Sequence, residues 1–358
     1  MKQLFVCLAV AASSVLTAVG QDAHQQAMMM KADAIRMVDN DSLEAGRVLL
    51  EKARKLDPSY PAYSYEIAYI YYQQQQYAKT LKLLKKIINT KWSQPVYYQL
   101  MGNSYDMLGN RKKAMATYQA GVKRFPALSG CLFLEQGNMY RTDNNFDKAL
   151  QLYEEGIKVE PQYPSNYFWA AVLYCASNYP CRGMVYGEIF MNLERHGERA
   201  ASISEILYRT YIDKIKIASD SSLSLQFVPK NVTIKMDRLG HMQIPFGVDY
   251  ERLLSASIQP PFHPLDIAAL SKIRTNFVEN YAKQDTSRFN NVLFNFQGKI
   301  HDLGFMEPYN YWLLQAGDGD AFNQWMESHK SLWDAFSFWF SNNGIDLDDS
   351  HKFCYDNY

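Results

Sequence analysis

The chain has 358 residues, a length that allows two or three domains, and its 37 lysines and arginines balance 37 aspartates and glutamates. A neutral chain without a basic stripe excludes a general nucleic-acid binder. Aromatic residues supply 14% of the sequence, 26 of them tyrosine, which fits closely stacked helices with a sticky surface.

Residues 1–20 read as a secretory signal. Lys2 is the positive start, Leu4–Val19 is apolar and small, and Ala18-Val19-Gly20 supplies small residues for cleavage before Gln21. No later stretch approaches the ~18 apolar residues of a membrane span. The expected address is exported, with the periplasm as the compartment. Four cysteines remain after cleavage, Cys131, Cys175, Cys181 and Cys354. Export permits disulfides, and Cys175 and Cys181 lie on either side of a Pro turn where they could meet, though sequence does not fix the connectivity. Buried thiols packing as small hydrophobes are the preferred reading.

A small residue then recurs at Ala34, Ala68, Gly102, Gly137 and Ala171, with spacings of 34, 34, 35 and 34. Three residues later stand Met37, Tyr71, Tyr105, Tyr140 and Tyr174. A fixed period of this length marks stacked helix-turn-helix units. The second helix of each unit has its own marks: Gly46, Leu50 and Ala53 before Pro58; Ala114, Tyr118 and Gly121 before Pro126; Ala149, Tyr153 and Gly156 before Pro161. Gly109-Asn110 and Asn144-Asn145 supply turn chemistry between helices.

These residues resemble the tetratricopeptide repeat across 27–197. Thr80 and Trp92 depart from its usual Ala and Pro, and Pro180, Gly183, Gly187 and Phe190 replace the usual set in the last unit. The signal followed by Gln21 is similar to that of exported repeat proteins of Bacteroidetes. The resemblance implies an all-α solenoid of five helix pairs with a capping helix from about Ala200 to Ala218. It also implies a concave groove lined by the first helix of each pair. Residues implied to face it are Tyr65, Tyr69, Tyr72, Gln99, Asn103, Asp106, Asn138, Arg141 and Phe168, with Ile35, Leu134, Val172 and Cys175 beside them. In the family, Asn at the places of Asn103 and Asn138 bonds a peptide backbone. The base pattern that clamps a terminal carboxylate is absent, because Gln99 and Leu134 stand where bases are wanted.

The pattern changes after Ser219–Ser222. Leu223–Phe227, Val232–Met236 and Met242–Phe246 each alternate apolar and polar residues, which predicts a three-stranded antiparallel meander. Helices follow: one opened by Pro264 and running to Lys283, one capped by Ser287 and stopping at Gly304, a short one from Pro308, and a long one from Asp320 to Asn342. The last holds Phe322, Trp325, Met326, Trp333, Phe336, Trp339 and Phe340. A buried helix is the plain expectation, and an exposed docking patch the sharper one. The organisation expected is therefore 1–20 signal, 21–218 solenoid and 219–358 a mainly helical domain with a short β-meander.

No nucleophile elbow, P-loop, zinc-helix motif or dinucleotide fingerprint occurs. His301 and Asp302 are neighbours on a helix and point about 100° apart. Asp346–Asp349 reads as a solvated acidic tail, and Asp318-Gly319-Asp320 as a turn and cap. The expected function is a non-enzymatic exported scaffold for a protein or peptide, without metal or cofactor. Two alternatives stand beside it: an enzymatic or ligand-binding domain at 223–358, marked by a cleft gathering His241, His263 or His301 with acids, and a structural part of an envelope complex.

Overall fold

The structure, a computed structural model, describes residues 22–219, 222–233, 235–236, 242–260, 265–284, 290–348 and 350–353. The signal, Pro264, Ser287, His241, His263 and Cys354 lie outside the described residues. Packing divides the chain into two compact units, which meet in sequence at Glu135 and Gln136. That division falls inside a helix of the repeat array; it is a different boundary from the end of the repeat pattern expected at 218.

The helices of the array are α1 (22–39), α2 (Leu43–Leu56), α3 (Ala62–Gln73), α4 (Tyr77–Ile87), α5 (Pro95–Met107), α6 (Arg111–Arg124), α7 (Gly130–Thr142), α8 (Phe146–Val159), α9 (Pro164–Cys175) and α10 (Pro180–Leu193). They form the five expected pairs of a tetratricopeptide-type helical-repeat fold. Pro95, Pro164 and Pro180 start helices where a missing N–H costs nothing. Asn110 and Asn145 cap α6 and α8, accepting from Lys113 N and Lys148 N at 3.2 Å each. The turns within the first four pairs share a left-handed residue at Asp41, Gln75, Gly109 and Asn144, again one period apart. Asp41 and Gln75 adopt it despite carrying a Cβ, and composition did not reveal them.

The marker residues sit where helices cross. Ala34, Ala68 and Ala171 are fully buried, and Gly102 and Gly137 are buried too. Thr80 fits the crossing usually held by Ala by donating its hydroxyl to Ala68 O at 3.2 Å. In the first unit Leu50, Ile67, Ile70 and Ala34 form one core cluster. Trp92 is 48% exposed, so the position usually held by Pro carries no core load.

In the second unit α10 is buried nearly all round, packed by α9, α11 (Glu198–Lys214), α12 (Phe246–Ser257) and α14 (Val292–Asp302). The expected capping helix ends at Lys214. Ile215 and Ile217, β-branched and separated by Lys216, leave it to form β1 (Ile215–Ser219), paired antiparallel with β2 (Ser222–Leu225) in register Ile215↔Leu225. The predicted meander is thus corrected. Its first segment pairs with 215–219 instead, and the other two shrink to β3 (Lys235–Met236) and β4 (Met242–Gln243), a separate antiparallel pair. Phe246, read as strand, opens α12.

The remaining helices are α13 (Ile267–Ala282), α15 (Met306–Leu314), α16 (Gly319–Ser328) and α17 (Lys330–Asn342). Asp266, Asn291 and Asp318 are the observed caps. The expected long last helix is two, broken at His329, and Asp318 rather than Asp320 caps the first. Phe322, Trp325, Phe336 and Phe340 are buried, as the core reading expected, while Phe338 is 77% exposed. In the acidic tail Asp346 and Asp348 are exposed, but the apolar residues around them are not. Ile345, Leu347 and Phe353 are buried, Gln162 Nε2 donates to Leu347 O at 2.6 Å, and the Phe353 ring meets Tyr186 and Phe246. Apolar burial outweighs the solvation of Asp346 and Asp348, which stay at the surface.

Candidate functional site

Of the nine residues implied to face a groove, Tyr65, Tyr69, Tyr72, Gln99, Asn103 and Asp106 belong to the first unit, and Asn138, Arg141 and Phe168 to the second. In the first unit Tyr65 stacks on Tyr97 with ring centroids 4.8 Å apart, and Tyr72 meets Tyr77 edge-on at 5.4 Å. Tyr69 stays 39% exposed. Burial raises the Tyr65 and Tyr72 hydroxyls above their ordinary range, so both remain neutral donors.

Gln99 Nε2 donates to Glu135 Oε1 at 2.8 Å, and Asn103 Nδ2 to the same oxygen at 3.4 Å. Tyr118 donates its hydroxyl to Asn103 Oδ1 at 2.5 Å. Both ends of the Asn103 amide are therefore engaged within the fold. Asn138 repeats the arrangement in the second unit, accepting from the Tyr153 hydroxyl at 2.9 Å. Each Asn holds the tip of a tyrosine that is buried between the helices of its own pair. The family's peptide-backbone role is not needed to account for them. Glu135, which gathers Gln99 and Asn103, escaped the sequence reading because it stands off the small-residue register. Asp106 lies close enough to Tyr72 and Tyr118 to oppose their ionisation, after burial has done most of it.

The guanidinium of Arg141 lies 3.8 Å from the ring centroid of Trp169. Phe168 packs edge-on against Trp169 and Phe190 and is overhung by Arg199. Leu134 and Cys175 are buried and leave the face to their neighbours. Trp169, one residue from Phe168, was missed because adjacent helical positions were assigned to different faces.

A second place for chemistry lies inside the second unit. Arg274 donates to Glu188 Oε1 at 2.6 Å, to the Tyr211 hydroxyl at 2.8 Å and to Asn310 Oδ1 at 2.7 Å. Tyr309 also donates to Glu188 Oε1, at 2.8 Å. This network borders an internal cavity of ≈ 20 Å³, lined with Tyr250, Phe294 and Gln297 among others, which is room for about one water. Burial opposes its charge on Arg274, but Glu188 and the tyrosines reverse that and hold the guanidinium protonated. It is a charge-paired core rather than a substrate cleft. His301 lies at the surface, with Glu279 at 3.3 Å and Asp302 at 3.6 Å; the helical neighbours approach more nearly than their angular separation predicted. Among the described residues no three His, Cys, Asp or Glu side chains stand together as metal ligands. Cys131, Cys175 and Cys181 are buried, and burial pushes the Cys175 and Cys181 thiols up to about 12. Among the described residues no helix is long and apolar enough to cross a membrane.

No family model and no curated protein matches this chain. Solved structures similar to it are repeat proteins. A thermophilic TPR protein of Thermus thermophilus is 16% identical with a TM-score of 0.43, covering 51% of this chain and 98% of its own. The pilF protein of Pseudomonas aeruginosa is 13% identical with a TM-score of 0.43, covering 54% and 84%. The C-terminal part of a TPR repeat-containing protein of Cytophaga hutchinsonii is 12% identical with a TM-score of 0.39, covering 81% and 95%. The repeat fold stands on the helix pairs described above; likenesses of this size say nothing about a partner.

Proposed function

We propose that the chain is an exported, non-enzymatic scaffold that holds a protein or peptide segment on the faces of its first helices. The array of 21–218 does the holding, and 219–358 is a mainly helical addition to it. The observation that carries this reading is the face of α3 and α5. Tyr69 keeps a large ring open to solvent between the half-buried Tyr65 and Tyr72, and Gln99 stands beside them at Glu135. Rings with polar tips give contact area with little entropy to lose, and they suit an extended segment better than a small substrate. Export rests on residues 1–20 and the expected cleavage before Gln21.

The test compares wild type with Tyr69→Ala/Gln99→Ala, both as mature chains. Captured partner falls with the double variant while the melting curve stays in place. Equal capture by both proteins overturns the groove. N-terminal sequencing of native protein checks export, and retention of residues 1–20 would refute it.

A further inference from the structure

Helices α10 to α15 each send a side chain to one place in the second unit. Glu188 on α10, the last helix of the repeat array, accepts at Oε1 from Arg274 of α13 at 2.6 Å, from Gln297 Nε2 of α14 and from Tyr309 of α15 at 2.8 Å. The Tyr211 hydroxyl of α11 accepts from Arg274 at 2.8 Å and is hydrogen-bonded to Tyr250 of α12. Glu188, Tyr211, Tyr250, Arg274 and Gln297 all line the cavity of ≈ 20 Å³.

Protein does not meet every polar atom of this set. Gln297 is 2% exposed, and its Oε1 is buried without a donor. Turning the amide over does not help, because its carbonyl would then face Glu188 Oε1, acceptor against acceptor. The second carboxylate oxygen, Glu188 Oε2, receives no hydrogen bond from the described residues. The tyrosine pair has the opposite surplus. Two hydroxyls bonded to each other use one hydrogen between them, and neither donates to another described residue, so one O–H is left over.

We propose that this cavity is a binding site for a single water molecule, which donates to Gln297 Oε1 and Glu188 Oε2 and accepts the hydrogen left over by Tyr211 and Tyr250.

The size of the cavity restricts the ligand to about one non-hydrogen atom. The hydrogen-bond inventory then chooses among such ligands. A metal cation or ammonium would satisfy the two acceptors but cannot accept the hydroxyl hydrogen. It would also stand beside Arg274, whose charge already balances Glu188. Chloride would take the hydroxyl but leave Gln297 and Glu188 unmet, and it would lie against a carboxylate. A dry cavity leaves all three groups to bear their loss of hydration. Water alone both donates and accepts, and three bonds is the usual complement of a buried water. Its place gives it a structural role. It joins α14 to α10 and to the tyrosine pair of α11 and α12, where the last repeat helix meets the helices added to the array.

The experiment is a crystal structure of the chain at a resolution that shows ordered water, with oxygen-17 relaxation dispersion to count long-lived waters in solution. The expected result is one peak within hydrogen-bond reach of both Gln297 Oε1 and Glu188 Oε2. A cavity without density, or one closed by a protein donor on Gln297 Oε1, overturns the site. A peak replaced by rubidium or bromide in soaked crystals overturns the identity of the ligand. Val185→Ile adds one methyl group at the cavity wall, about the size of a water. It should remove one long-lived water and lower the melting temperature by several degrees, because the displaced water's bonds are not replaced. A melting temperature that stays or rises means that the methyl filled dry space and overturns the proposal. A lower one with the water count unchanged is overpacking around a dry cavity and also overturns it.

Discussion

The ring of Tyr118 fills the space that a side chain at residue 102 would need: a Cβ built on Gly102 would lie 2.1 Å from Tyr118 Cε1. Gly137 and Tyr153 repeat the relationship at 2.4 Å. The two positions are 16 apart in both pairs, and the same offset joins Ala34 to Leu50, Ala68 to Leu84 and Ala171 to Gly187. Glycine thus appears where the opposite residue is a tyrosine, and alanine where it is leucine or glycine. The Gly–Tyr and Ala–Leu crossings divide their volume differently, while at Ala171 and Gly187 the side chains of Leu207 and Ile203 close on the glycine instead.

The first prediction follows from that pairing. Gly102→Ala should overpack the crossing and cost about 1–3 kcal/mol. Adding Tyr118→Leu, which copies the Ala68 and Leu84 pair, should recover much of the loss. Melting curves of the two single variants and the double variant check it. A double variant as unstable as the sum of the singles would refute the volume exchange.

A second prediction concerns Asn103. Tyr118 is 2% exposed, and its hydroxyl ends on the Asn103 amide. Asn103→Ala leaves that hydroxyl without its acceptor and should cost ~1–3 kcal/mol of stability. In a Tyr118→Phe background the same substitution should cost clearly less. Chemical denaturation of the four proteins measures the coupling. Equal costs in both backgrounds would leave Asn103 without the positioning role.

The buried network supplies a third. Glu188 and Arg274 have side chains 5% and 6% exposed. Arg274→Met strands the carboxylate among Gln297 and Tyr309 and should destabilise the second unit by about 3–5 kcal/mol. Urea unfolding followed by tryptophan fluorescence reports on this unit through Trp312 and Trp325, which are buried in it. A loss below about 1 kcal/mol would mean that the charges are solvated.

The fourth prediction is a pH dependence in the first unit. Burial alone would raise the Asp57 carboxyl, but His24 Nδ1 donates to it at 2.6 Å and the Ser59 amide and hydroxyl add two more bonds, holding it below the usual carboxylate range. A group depressed in the folded state stabilises above its unfolded value, about 3.9, and the stabilisation disappears as pH falls through the folded value. Wild type should therefore exceed Asp57→Asn in melting temperature at pH 6, with the gap closing below about pH 4. A gap that persists unchanged to pH 2 would contradict it.

What the amino-acid order determined by itself is the repeat. Its five small residues at a fixed period state where helices must approach closely, and a helix pair with one apolar face has no stable form except stacked. The turns at Gly109 and Asn144 and the helix start at Pro180 were equally local, since φ preference and a missing N–H act within a few residues. Only tertiary structure decided the rest. Alternation in 223–246 could not choose a strand partner, and the segment of Ile215 and Ile217 won the first stretch because it lay adjacent along the chain. Apolar contacts of Phe353 with Tyr186 and Phe246 pinned a tail whose acids stay in solvent. Asn103 and Asn138 looked like open amides until the tyrosines 15 residues on closed over them. Arg141 could be named from its register, but its place over the Trp169 ring in the next pair is foretold by no spacing rule.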